Sequence, residues 1–228
     1  VSFLFNYIKP SNSMKKLTKK SLEELAQVMP VLSEVEMREC VGGDIVYINA
    51  DGVFLRKENN PTVNEVRIEG TSFYKTLPEG TYVQTFMYDY EAEGESGAME
   101  RRQGSGIMFM CSGSGSYEEQ KAFFESLARN TNSEWGWAHD NAGKDPNAQM
   151  NSMIFSTNDS NSLDSTIFLE QASEYNAFYH SHPRDANVDP NPSDPDRNVK
   201  NNLIDNFGYD TKNIGTYDAK TNSYNTYY

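Results

Sequence analysis

Apolar runs separated by turn residues predict β-strands in the first part of the chain after residue 43. Residues 45–56, IVYINADGVFLR, contain two short β runs around an Asn-Ala-Asp-Gly turn, which indicates a hairpin. Two more β-like runs follow at 63–68 and 81–90, and the polar, glycine-rich stretch 91–106 is typical of a long loop or a module boundary. We therefore expect residues 44–106 to form a β-rich extension.

From residue 107 onward the pattern mixes strands with helices. IMFMC at 107–111 is a continuous apolar run, as expected of a strand buried on both faces. Residues 117–130 predict a helix with Ser116 as its N-cap and Glu119 closing a capping box. Further predicted elements are strands at 134–138, 153–156, 165–169 and 177–182, a helix that begins near Ser193, and a terminal tyrosine-rich hairpin. This order predicts an α/β or α+β domain over 107–228, built around one mixed sheet.

The first forty-three residues carry a different signal. From Met14 a basic start is followed by apolar residues on one helical face. The segment closes with Leu32-Ser33, Glu36-Met37, Cys40 and Gly42-Gly43. This spacing resembles the double-glycine leader of bacterial bacteriocin-type exported peptides, over residues 14–43. The alternative is an ordinary amphipathic helix with a glycine C-cap.

The leader resemblance implies a route out of the cell. In that family the leader helix docks on a peptidase-containing ABC exporter, and the two glycines thread its narrow cleft. Cleavage after Gly43 would give a secreted mature protein that begins at Asp44.

Composition restricts the class of protein. A hydrophobic fraction of 37%, with 12 Phe and 14 Tyr, indicates a folded chain. The net charge of −13 argues against nucleic acid as a partner, because phosphate binding needs clustered Lys and Arg. No apolar run approaches the roughly 18 residues of a membrane-spanning helix. The two cysteines, Cys40 and Cys111, form no CxxC pair, so we expect neither a zinc ribbon nor a disulfide framework.

The stretch HSHPRDANVDPNPSDPD, from His180 to Asp196, contains two of the three histidines of the chain. On a strand, His180 and His182 project to the same side. Two neutral imidazoles and a carboxylate such as that of Asp196 are natural zinc ligands, and three protein ligands leave one position open, as in catalytic zinc sites. The alternatives are a hydrogen-bonded turn for the histidines and a simple helix cap for Ser193 and Asp196.

HSHP at 180–183 and PSDPD at 192–196 together resemble the signature of the JAB/MPN (JAMM) zinc metalloprotease family, over about residues 107–228. The resemblance implies a cytidine-deaminase-like mixed sheet flanked by helices. It also implies that His180, His182 and Asp196 bind Zn²⁺ and that Ser193 stabilises the tetrahedral intermediate. The family's upstream glutamate, the general base, best matches Glu134, although the local pattern is imperfect.

These features predict an exported zinc metallopeptidase or isopeptidase that hydrolyses an amide bond of a peptide or protein, as an effector or toxin. Two alternatives stay open: a secreted binding protein that uses the fold without catalysis, and a zinc hydrolase of another amide or ester. Outside the site, we expect a structural or exposed role for His139, packing roles for Trp135 and Trp137, and a buried thiol at Cys111.

Overall fold

The structure is a computed structural model that describes residues 43–60, 62–93, 99–140, 149–157, 163, 166–169, 171–183 and 193–226. The predicted leader lies outside these ranges except for Gly43, as does the loop 184–192 between the HSHP motif and Ser193. All described residues belong to one compact unit that spans Gly42–Tyr228.

The described residues form the following strands: β1 (Gly43–Ile48), β2 (Phe54–Asn60), β3 (Glu65–Ile68), β4 (Tyr74–Thr76), β5 (Thr81–Glu93), β6 (Met99–Ser116), β7 (Gly136–His139), β8 (Gln149–Ser156), β9 (Ala177–His182), β10 (Ile214–Asp218) and β11 (Ser223–Thr226). The helices are α1 (Tyr117–Asn130), α2 (Thr166–Leu169) and α3 (Asp194–Phe207), with 3₁₀ turns at Ala172–Glu174 and Thr211–Asn213.

These strands make two sheets. A four-stranded sheet has the order β2-β1-β3-β4, and a seven-stranded sheet has the order β11-β10-β9-β7-β8-β6-β5. Within the large sheet β9 and β10 run parallel, and the other neighbours run antiparallel. The expected α+β class with a mixed sheet is confirmed.

Hydrophobic cores cover both faces of the large sheet. On one face, α1 and the small sheet share a core, in which Ile48 and Val66 join Phe124 and Trp137. On the other face, α2 and α3 pack through Phe168 and Leu203. The two faces alternate along β7, since Trp137 belongs to the first core and Ala138 to the second. The β-rich region therefore contributes one wall of the core that supports the large sheet.

Three local predictions differ from the structure. Much of the predicted loop 91–106 is strand, because β5 and β6 pair antiparallel from Thr81↔Cys111 to Glu93↔Met99. The expected boundary between residues 106 and 107 falls inside β6, which is continuous from Met99 to Ser116. The strand predicted at 165–169 is instead the helical turn α2, since a short apolar run alone does not distinguish a strand from a buried helix.

Candidate metal centre

Strand β9 places His180 and His182 on one face of the large sheet. Both side chains are buried, each with 5% of its surface exposed. β9 lies between β7 and β10, in register Gly136↔His180 and Asp218↔His182, so its backbone is fixed from both sides. The Nε2 atoms of His180 and His182 lie 3.2 Å apart. The predicted strand and the shared direction of the two histidines are confirmed.

The N-terminus of α3 brings in Asp196. Ser193 is the N-cap of α3, and its Oγ accepts a hydrogen bond from the Asp196 N–H at 3.3 Å. In return the Ser193 N–H donates to Asp196 Oδ2 at 2.7 Å, which closes a capping box. The other carboxylate oxygen, Oδ1, lies 3.3 Å from His180 Nε2. The cap thus occupies one oxygen of Asp196 and turns the other toward the histidines.

His180, His182 and Asp196 therefore form a group that could hold a metal ion. One ligand atom from each lies within 4.8 Å of the others. A tetrahedral zinc ion with ligand distances of about 2.0–2.1 Å would place two ligand atoms about 3.3 Å apart. The distance of 3.2 Å between the Nε2 atoms of His180 and His182 and that of 3.3 Å from His180 Nε2 to Asp196 Oδ1 match this spacing. The donor set is of a type that zinc accepts, and these two separations are compatible with it.

The protonation state of His180 also suits a metal ligand. Burial lowers its pKa to about 4, although the nearby Asp196 carboxylate acts in the opposite direction. The imidazole is therefore neutral at neutral pH, which is the form that coordinates metals. Because the imidazole is neutral, the 3.3 Å contact between His180 Nε2 and Asp196 Oδ1 is not an ion pair.

Glu134 lies in the segment that leads into β7. It is buried, with 5% exposed. The Ser181 N–H donates to the Trp135 carbonyl at 2.8 Å, and the Trp135 N–H donates to Ser181 Oγ at 3.0 Å. This pairing extends the alignment of β7 with β9 by one residue pair, Trp135 beside Ser181, which lies between the two histidines. Glu134 is not a member of the three-residue metal group.

Asp218 is a neighbour of the site that the sequence patterns did not indicate. It pairs with His182 across the parallel β9–β10 ladder. Burial alone would raise its pKa, but hydrogen bonds from the Thr221 hydroxyl and from the Lys220 and Thr221 N–H groups bring the pKa below its ordinary value. Asp218 therefore places a carboxylate beside His182. Only the pairing of two distant strands could have revealed it.

The remaining candidates have structural surroundings. His139 is buried at the other end of β7, where its ring packs against Tyr117, Trp137 and Tyr179. Trp137 is fully buried in the core, as is Trp135. Cys111 is a buried free thiol, whose sulfur accepts a hydrogen bond from the side-chain amide of Gln120 at 3.2 Å. The packing and structural roles expected of these side chains are confirmed.

Comparisons with known proteins give no match. A scan against protein-family models finds none, and neither do searches of curated proteins and of solved structures. No helix within the described ranges is long and apolar enough to cross a membrane. The interpretation of the site therefore rests on its own residues and their geometry.

Proposed function

We propose that this chain is an exported zinc-dependent metallopeptidase or isopeptidase of the JAB/MPN type, which hydrolyses an amide bond of a peptide or protein. The observation that carries the proposal is the convergence of His180, His182 and Asp196 within 4.8 Å. The mixed sheet, with α1 packed on one face and α3 on the other, supports a JAB/MPN-like arrangement of that site.

The donor set favours zinc over the harder cations. Imidazole nitrogen is a poor ligand for Mg²⁺ and Ca²⁺, which prefer oxygen ligands. Two histidines and one carboxylate occupy three positions, and catalytic zinc sites keep their fourth position open. When bound, the zinc ion supplies Lewis acidity, which lowers the pKa of a water molecule to about 7 and polarises a carbonyl group.

Two side chains of the chain would then handle protons and charge. Glu134 precedes Trp135, which bonds to Ser181 between the two histidines, and it is assigned as the general base that accepts the proton of the attacking water and returns it to the leaving amine. Ser193 is assigned as the donor to the oxyanion. Its capping bond uses a lone pair of Oγ, since Oγ accepts from the Asp196 N–H. Since accepting this bond does not use the hydroxyl proton, Ser193 could donate that proton to a substrate oxygen.

A zinc assay together with three variants tests this function. Protein supplied with zinc should carry one equivalent and cleave members of a fluorescence-quenched peptide and isopeptide library. His182→Ala should lose the metal, whereas Glu134→Gln should keep the metal and lose cleavage. The matched control is Glu65→Gln, which replaces a described glutamate buried to a similar extent, at 6% exposure, and should keep both the metal and cleavage.

Each result has a definite meaning. Wild-type protein without stoichiometric zinc after supplementation would refute the metal site. Normal cleavage by Glu134→Gln would remove Glu134 as the base. Stoichiometric zinc with no cleavage of any library member would favour the binding protein without catalysis.

Export is proposed on the leader resemblance, and the structure restricts when cleavage can occur. Gly43 is the first residue of β1, where it pairs with Asn60, and a Cβ atom there would come within 2.2 Å of the Val63 carbonyl oxygen. A peptidase that threads Gly42-Gly43 needs this segment unpaired, so cleavage should precede folding of β1. Mass spectrometry of the extracellular protein should find Asp44 as its first residue, and a mature species that retains residues 14–43 would contradict the proposal.

A further inference from the structure

The turn between β1 and β2, residues 49–53, is held rigidly by its first residue. The Asn49 side-chain oxygen accepts hydrogen bonds from the N–H groups of Asp51 and Val53, both at 2.9 Å. The Asn49 N–H donates to the Val53 carbonyl at 3.0 Å, and its carbonyl accepts from the Gly52 N–H at 3.0 Å. Four bonds within five residues give this turn a single shape.

The same turn contacts the segment that precedes β7. The Asn132 N–H donates to the Ala50 carbonyl at 2.8 Å, and the Asn132 side-chain amide donates to Asp51 Oδ1 at 3.2 Å. The Ser133 hydroxyl donates to the Asp51 carbonyl oxygen. Three hydrogen bonds therefore join the small sheet to the two residues directly before Glu134.

Gly52 brings the two backbones close together. Its φ of +74° lies in the left-handed region. A Cβ atom at this position would lie 3.0 Å from Ser133 Oγ and 3.1 Å from the Trp135 ring. Any side chain at residue 52 would therefore push on the residues on either side of Glu134.

The other side of Glu134 is held by the strand that carries the histidines. Trp135 exchanges two hydrogen bonds with Ser181, at 2.8 Å and 3.0 Å. Ser181 lies between His180 and His182 in β9. Glu134 therefore lies between two anchored neighbours: Ser133 is hydrogen-bonded to the β1–β2 turn, and Trp135 is hydrogen-bonded to β9.

We propose that the β1–β2 turn, through Asp51 and Gly52, is a positioning element for the Glu134 carboxylate. The inference rests on the proposed function, in which Glu134 is the base. It also assigns a role to the small sheet, which would fix the position of the Glu134 carboxylate relative to the metal ligands without contacting the substrate. Displacement of a reacting group by about 1 Å can cost a factor of about 10² in rate, so the turn can control kcat from outside the site.

The test compares Gly52→Ala with Gly70→Ala. Gly70 has a φ of +79° in another turn of the small sheet, and a Cβ atom there would meet nothing within 4 Å. Both variants carry the same backbone penalty, but only Gly52→Ala pushes on Ser133 and Trp135. Gly52→Ala should lower kcat about tenfold or more at unchanged KM and zinc content, whereas Gly70→Ala should keep the wild-type kcat.

A second pair of variants tests the same inference if Gly52→Ala fails to fold. Ser133→Ala removes the hydroxyl bond to the Asp51 carbonyl without adding bulk. Its control is Ser126→Ala, which removes a similar bond from Ser126 Oγ to the Ala122 carbonyl in α1. In zinc-free protein, hydrogen exchange of the Trp135 and Ser181 amides should be faster in Gly52→Ala and Ser133→Ala than in both controls.

The outcomes separate this inference from the proposed function. Equal kcat values, or equal amide exchange, in Gly52→Ala and Gly70→Ala would overturn the positioning role while leaving the peptidase intact. A wild-type protein that binds zinc and cleaves nothing would refute the proposed function. Amide exchange in the zinc-free protein then decides by itself whether the turn holds the Glu134 segment.

Discussion

Ser193 is expected to have two functions that two substitutions separate. Its Oγ accepts a bond from the Asp196 N–H as the N-cap of α3, and its proton is assigned to the oxyanion of the substrate. Ser193→Ala removes both the cap and the donor. Ser193→Gly removes the hydroxyl as well, but glycine costs only a few tenths of a kcal/mol at an N-cap.

The expected stability loss follows from the geometry of the cap. Replacing an N-cap serine by alanine typically costs about 1 kcal/mol. Here the Oγ···N distance of 3.3 Å is longer than usual, and the reciprocal bond from the Ser193 N–H to Asp196 survives the substitution. We therefore expect Ser193→Ala to cost about 0.5–1 kcal/mol, which lowers Tm by about 1–4 °C for a chain of this size. Ser193→Gly should lower it less.

The effect on catalysis should not follow stability. Loss of an oxyanion donor typically lowers kcat by about 10²–10³. We expect that loss in both Ser193→Ala and Ser193→Gly, measured as kcat on a cleaved library peptide beside a thermal melt. The control is Ser116→Ala, because Ser116 heads the capping box of α1 with a comparable bond of 3.4 Å to the Glu119 N–H. It should lower Tm to a similar extent with unchanged kcat. Wild-type kcat in Ser193→Gly would refute the oxyanion role.

Two further predictions concern the fold. Ile48→Ala in β1 should lower the free energy of unfolding by about 2–5 kcal/mol, because Ile48 is fully buried in the core shared by the two sheets, whereas the control Leu55→Ala removes an exposed side chain. Urea unfolding, followed by fluorescence and circular dichroism, should remain a single transition. Two separate transitions would contradict a shared core. Burial raises the pKa of Tyr175 to about 12, so its stabilising contribution is complete below pH 10 and is lost as pH rises through 12. The urea concentration at the midpoint of unfolding should therefore fall less steeply above pH 10 in Tyr175→Phe than in the wild type. The control Tyr74→Phe, at an exposed position, should show the wild-type dependence on pH. A wild-type dependence in Tyr175→Phe would show that Tyr175 does not titrate in this way.

The elements that were predicted well are those that short-range interactions determine. Ser116 and Glu119 lie three residues apart and cap the same helix turn, so the start of α1 could be read directly from the sequence. The β1–β2 hairpin also followed from its own turn residues. The prediction of a loop over 91–106 was wrong, because glycines do not interrupt β6 where it pairs with β5. Gly104 and Gly106 instead lie under the rings of Tyr88 and Phe86 from β5, where a Cβ atom would approach within 2.4 Å and 2.1 Å.

The site shows the same division. His180 and His182 follow from strand periodicity, and the Ser193–Asp196 cap follows from local spacing. Their convergence needs α3 to pack on the face of the large sheet that contains Phe178, which no local pattern predicts. The contacts made by Asp218 and by the β1–β2 turn depend on which strands are neighbours, and one shift of register would move their side chains to the opposite face. Local patterns within residues 44–106 therefore did not indicate a function, because the contacts of the β1–β2 turn are made to residues distant in sequence.

Asp196 shows why the capping and metal interpretations of the Ser193–Asp196 pair are not alternatives. A carboxylate has two oxygens, and the capping box requires only one of them, Oδ2, at 2.7 Å from the Ser193 N–H. That bond fixes the rotation of the carboxylate, so Oδ1 faces His180 at 3.3 Å. An asparagine at position 196 could keep the cap with its side-chain oxygen, but its NH₂ group would then face His180 and could not bind a cation. A helix cap alone would therefore accept asparagine at position 196, whereas the proposed metal site needs the second oxygen of aspartate.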